Sequence, residues 1–296
     1  MRWNERSLAV VLAAVLLLVV AVVAMSKSAT SAGNFPVRLN GKFGFIDHSG
    51  KVVVQPQFDN AGVFEDGLAP VQTGGKWGYV DRSGKLAVAP QFDVADPYSD
   101  GMALVGTGQR FGYIDKKGTF AVNPQFVGAG RFNDGLAPVQ MGDRWGYIDK
   151  KGKITINPQF EEAGNFSDGL ALVRMGGKYG YIDKDGKVVV NPQYDGAGEF
   201  SDGLGLVQVG QKFGYIDKKG KMVIPAQFDQ AGEFSDGMAR AGIAGRFGYI
   251  DKSGKFTINP QFDQAGDFEH GLAPVWLGDR QGYINKDGKY VWNPTA

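Results

Sequence analysis

The chain contains no cysteine. That excludes a disulfide framework, a Cys–His zinc site and a thiol nucleophile. It does not decide compartment. Histidine is scarce too, with only His48 and His270. A nucleophilic triad therefore has no members beyond these two. Net charge is also missing: setting aside residues 1–33 leaves 29 basic against 30 acidic residues. A neutral body carries no electrostatic footprint for nucleic acid. Only 13 prolines occur and no poly-Gly run, yet there are 45 glycines and 12% aromatics. That combination predicts many turns and short strands rather than disorder.

One long hydrophobic run is present. LAVVLAAVLLLVVAVVAM, residues 8–25, is 18 apolar residues without interruption. As a helix it would span roughly 27 Å, close to the ~30 Å hydrocarbon core. Arg2 and Arg6 precede it and Lys27 follows. The positive-inside rule then keeps the N-terminus in the cytoplasm and sends the rest across. Residues 1–33 thus read as an uncleaved signal anchor or, with Thr30-Ser31-Ala32 as cleavage site, a signal peptide. The remainder is membrane-anchored outside the cytoplasm in the first case. It is secreted or periplasmic in the second.

Residues 34–296 form the second domain. KWGYVDRSGK, residues 76–85, recurs as KFGFIDHSGK, RFGYIDKKGT, RWGYIDKKGK, KYGYIDKDGK, KFGYIDKKGK, RFGYIDKSGK and RQGYINKDGK. The central glycines are Gly44, Gly78, Gly112, Gly146, Gly180, Gly214, Gly248 and Gly282, every step being 34 residues. A fixed period of this size marks a repeat architecture. Helical repeats share the period. Here the mid-motif glycines, the NPQF-type prolines and the AG-x-F-x-DG segments break helices, while aromatic and β-branched residues favour strands.

The unit from Gly67 parses as strand GLAPVQTGG, strand KWGYV, turn DRSG, strand KLAVAPQF and connection DVADPYSDG. This predicts an all-β tandem array of eight three-stranded units behind one N-terminal hydrophobic helix. An open or coiled array is the first reading, because three strands are few for a propeller blade. A closed propeller-like ring is the alternative. Aromatics flank the glycines, Gln281 before Gly282 being the one departure, so the units present aromatic pairs that they cannot bury alone. Stacking makes each unit the lid for the one before it. The central glycine lets a neighbouring ring or backbone lie against the strand.

K-W-G-Y-I-D-x-x-G-K followed by N-P-Q-F-D-x-A-G-x-F-S-D-G-L-A-x-V resembles the WG (KWG) repeat family over residues 35–296. The resemblance implies a β-rich repeat protein, found largely in bacteria. It implies no one reaction.

Repeated polar residues make rows. The first is Asp47, Asp81, Asp115, Asp149, Asp183, Asp217 and Asp251, with Asn285 last. A metal or acid–base role is outweighed by turn chemistry, since Asp at the first turn position bonds its own backbone. DKDG at 183–186 lacks the further ligands of a calcium loop. The second row, Asp66, Asp100, Asp134, Asp168, Asp202 and Asp236, precedes glycines and also reads as turn. His270 replaces it in the seventh copy, and His48 sits in a turn; both read as solvated substitutions. Lys42, Lys76, Arg110, Arg144, Lys178, Lys212, Arg246 and Arg280 form a basic row. It reads as a ladder of cross-strand ion pairs rather than a polyanion track. G-x5-G-K is one residue too long for a P-loop.

Trp276 and Trp292 break the repeat pattern near the C-terminal end. They are the candidate ligand-binding residues, with capping of that end the competing role. No catalytic, metal or cofactor residue is assigned. Uniformity argues for binding over catalysis: an enzyme needs one distinctive site, whereas repeat arrays present repeated subsites. The expectation is a non-enzymatic scaffold of the cell envelope with a protein partner. The alternative is a cell-wall glycan module using exposed aromatics; a hydrolase ranks last.

Overall fold

The computed structural model describes residues 34–39, 41–46, 51–268 and 271–295. These contain strands and turns and no helix. None of them forms a helix long and apolar enough to cross a membrane. The expected leader helix lies outside the described residues.

The strands build eight antiparallel sheets, one per 34-residue repeat. Six sheets have four strands and two have three. The three-strand expectation is corrected here. The segment read as a connection supplies a further strand, short at Asn60–Ala61 and longer at Gly196–Ser201. It joins the next hairpin in one register, with Ala61 opposite Val71 and Ala197 opposite Val207. The connection thereby pairs backbone groups that would otherwise sit unsatisfied beside the sheet edge. The strand-number argument against propeller blades falls with that expectation.

The sheet Gly196–Ser201, Leu204–Val209, Lys212–Ile216, Met222–Phe228 keeps its strands in sequence order. The last pair is bulged: Phe213 faces Phe228 and Tyr215 faces Ile224, with a register shift between them. The bulge explains the central glycine. A Cβ on Gly180 would lie 2.5 Å from the Val190 carbonyl oxygen and 2.7 Å from Pro192 N. Backbone of the outer strand occupies the space that a side chain would need.

Contacts divide the chain into two units, Met1–Gly108 with Tyr113–Phe120, and Gln109–Gly112 with Ala121–Ala296. In each, the core lies between successive sheets. In the first unit, Phe45, Val54 and Phe58 of one sheet cluster with Ala69, Val71 and Val80 of the next. In the second, Leu204, Tyr215, Ile224 and Phe228 meet Phe234, Ala239, Ala241 and Ile250. Both faces of a sheet are therefore buried: one gives large aromatics, the other small and β-branched residues. Tyr215 and Phe234 meet edge to face at 4.8 Å, and Tyr181 and Phe200 at 4.7 Å. Each fully buried large side chain contributes about 1.5–3 kcal/mol. That is the energetic content of one repeat covering another.

Candidate functional site

Apart from Asp47, which lies outside the described residues, the first acidic row does what turn chemistry predicts. Asp217 Oδ1 accepts the Lys219 and Lys221 N–H groups at 2.9 Å each, and its carbonyl accepts from Gly220. Asn285 repeats the pattern with Asp287 and Lys289. Where serine follows, as at Asp251, its hydroxyl holds the carboxyl below the usual range. These carboxylates are turn acceptors.

The second row does more than turn. Asp168, Asp202 and Asp236 adopt left-handed backbone with φ of 54°, 56° and 55°. Their carboxylates accept N–H groups from the following repeat: Gly203 to Asp168 at 2.8 Å, Gly237 to Asp202 at 2.8 Å, Gly271 to Asp236 at 2.7 Å. Their carbonyls accept from Lys218, Lys252 and Lys286, 50 residues on. In the first unit Asp66 accepts from Gly101 and Lys116. This row staples repeats together. Sequence alone does not show that, because the partners lie 35 and 50 residues away.

Six members of the basic row form ion pairs with a carboxylate row that sequence reasoning had not singled out, whereas Arg110 donates to the Gln125 carbonyl, Val127 standing where the others have a carboxylate. Lys178 Nζ reaches Asp195 Oδ1 at 2.5 Å, and Arg246 reaches Asp263 at 2.5 Å. Lys42 pairs with Asp59 in the same way, 17 residues on. The second oxygen of Asp195 accepts Gly210 N–H in the next hairpin turn. The Lys178 hydrogen bond, helped by Gly210, holds Asp195 below the ordinary carboxylate range.

One polar feature does not repeat. In the A-G-x-F segments of the second unit, the x position is Arg131, Asn165, Glu199, Glu233 and Asp267. The first unit has Val63 and Pro97 there. The position lies on or just after the first strand of its sheet, except that Arg131 precedes a three-stranded sheet beginning at Leu136. Glu199 Oε1 accepts Asn165 N–H at 3.3 Å and its amide at 3.2 Å. Glu233 Oε1 accepts Glu199 N–H at 2.7 Å. Asp267 Oδ1 lies 3.6 Å from Arg240 Nε. Burial raises Glu199, opposed by Asn165 and Arg131. Burial and the neighbouring Glu199 push Glu233 up to about 7. Burial raises Asp267 against Arg240. The only available signal was a charge inside an otherwise apolar frame, and it resembled ordinary loop variation. Among the described residues, no group of three acidic or histidine side chains is placed to hold a metal ion.

Trp276 lies in the strand Leu272–Leu277 and is half-buried. It stands opposite Gln281 on one side and Gln264 on the other. Trp292 lies in Tyr290–Thr295, its backbone opposite Tyr283. The two tryptophans are thus on non-adjacent strands of one sheet, Leu272–Leu277 and Tyr290–Thr295, with Arg280–Asn285 between. His48 and His270 lie outside the described residues.

Apolar residues recur at the start of the outer strand. Leu86 and Phe120 in the first unit are exposed, at 49% and 37%. Ile154, Met222 and Tyr290 occupy the same position in the second unit and are exposed too.

A family model described as WG containing repeat matches residues 43–77, 77–109, 111–145, 145–179, 179–213, 213–245 and 247–279. Among solved structures, the chain is similar to a eukaryotic initiation factor at 12% identity and TM-score 0.63, covering 90% of this chain and 85% of that one. It is similar to the dihydro-heme d1 dehydrogenase NirN in complex with DHE at 14% identity and TM-score 0.55, covering 92% and 76%. The C-terminal WD40 domain of Sif2 is similar at 10% identity and TM-score 0.50, covering 86% and 92%. These likenesses concern fold alone. WD40 repeats are four-stranded propeller blades, the strand number of six sheets here. Among curated proteins, no sequence matches.

Proposed function

The chain belongs to the WG-containing repeat family, and on that premise we propose that it is a non-enzymatic interaction scaffold whose repeats work outside the cytoplasmic membrane. The observation that carries this reading is the exposed apolar residue at the start of five outer strands, Leu86 and Phe120 in one unit and Ile154, Met222 and Tyr290 in the other, with Val188 and Phe256 half-buried at the same position in between. Recurring apolar residues at equivalent positions are what an extended partner needs as repeated subsites. The repeated polar groups described above have structural work to do in turns, staples and ion pairs, which leaves little to act as a base or nucleophile. Residues 1–33 support the location, through the apolar run at 8–25 and the arginines before it. The leader either remains as an anchor or is cleaved.

A cell-wall glycan module built on Trp276 and Trp292 is the alternative. Trp276 is half-buried, which leaves part of its ring for stacking. Co-sedimentation of the full-length protein with insoluble peptidoglycan separates the two. The scaffold reading expects no retention. Retention that soluble sugar fragments compete away, and that Trp276→Ala abolishes, would replace it with the glycan reading.

A further inference from the structure

We propose that the side chains of Asn165, Glu199 and Glu233 form a pH-responsive coupling between successive sheets of the second unit, tight when Glu233 is protonated and loosened when it ionises. The geometry is head to tail. The main-chain N–H of Glu199 donates to Glu233 Oε1 at 2.7 Å, and that of Asn165 donates to Glu199 Oε1 at 3.3 Å. Each carboxyl group thus reaches back to the first strand of the preceding sheet. The preceding glycines make room for this: a Cβ on Gly198 would lie 2.6 Å from Glu233 Oε1, and one on Gly232 2.7 Å from Asp267 Oδ1.

Glu233 has an acid on either side along the column. Glu199 faces it from Gly196–Ser201, and Asp267 from the residues after Gln264–Ala265. Arg240, from Ala239–Ile243, offsets part of that charge but also lies beside Asp267. Arg131 acts on Glu199. The tyrosines nearby, Tyr181 and Tyr215, donate to the Gly198 and Gly232 carbonyls and are themselves raised by burial, so they stay neutral.

A carboxyl group in such a place binds its proton more tightly folded than unfolded. Glu233 stands at about 7 against an ordinary 4.5. The folded state then holds more protons between those values, so stability falls as pH rises across the interval and levels off above it. The backbone bond survives protonation because the neutral carbonyl oxygen still accepts; what loosens the coupling is the buried charge beside Glu199 and Asp267, which outweighs the stronger bond a carboxylate would make.

The test is thermal unfolding of the full-length protein in detergent between pH 5.5 and pH 9, beside Glu233→Gln. Glutamine keeps the acceptor and removes the titration. The midpoint of the natural chain should fall as pH rises through about 7. The variant should lose most of that slope and be the more stable of the two at the alkaline end. An unchanged slope in the variant, or a variant less stable at the alkaline end, overturns the proposal. A direct reading that needs no variant is the carboxyl carbon resonances of the natural chain. One glutamate should titrate near neutrality, and none doing so also overturns the proposal.

Discussion

Trp276 stands directly opposite Gln281 across paired strands, and two other sheets carry the same pair reversed, as Gln72 opposite Trp77 and Gln140 opposite Trp145. Two departures from the repeat, read separately, become one exchange across a strand pair. Cross-strand neighbours are the unit of sheet stabilisation, so this register predicts that the two positions are coupled. Trp276→Gln alone should cost about 1–2 kcal/mol. Adding Gln281→Trp should recover most of it, and urea denaturation of the three variants reads the coupling. Additive losses would mean that Trp276 is placed for another purpose.

The central glycine permits a sharper expectation. Outer-strand backbone fills the place of a Gly180 Cβ, with the Val190 oxygen 2.5 Å away. Gly180→Ala should destabilise by roughly 1–3 kcal/mol through forced backbone movement. Gly177→Ala in the adjacent hairpin turn meets no atom within 4 Å and carries only the cost of its φ of 76°. Melting temperatures of the two variants should therefore differ, with Gly180→Ala the lower.

Asp202 joins two repeats and also holds a left-handed backbone. Asp202→Asn retains an acceptor and tolerates that conformation, so its effect should be small. Asp202→Ala loses both and should cost about 2 kcal/mol. Hydrogen exchange should locate the change at Gly237 N–H, across the repeat boundary. Equal effects of the two variants would deny the staple.

The period, the turn carboxylates, the glycine's close approach and the stacked core were all legible in sequence because each depends on residues near one another or 34 apart in register. The extra strand was not. Asn60–Ala61 is two residues long and has no room to show alternation. The staples were hidden for a different reason: Asp202 looks like any turn aspartate until Gly237 is seen above it. The column was hidden by variation, since Asn165, Glu199 and Glu233 differ from repeat to repeat and meet only in space.

The proposed location rests on the sequence of residues 1–33. A reporter enzyme that folds only outside the cytoplasm, fused after Ala296, should be active. Moving Arg2 and Arg6 to the far side of the apolar run should abolish that activity. Activity that persists after the exchange would contradict the proposed orientation.

Photo-cross-linking in living cells, with a photoreactive residue in place of Ile154 and then of Met222, tests the scaffold reading most directly. The account predicts a discrete protein adduct at both positions and none at Lys219, an exposed turn residue of the same unit. Adducts absent from both apolar positions, or equally strong at Lys219, would contradict it.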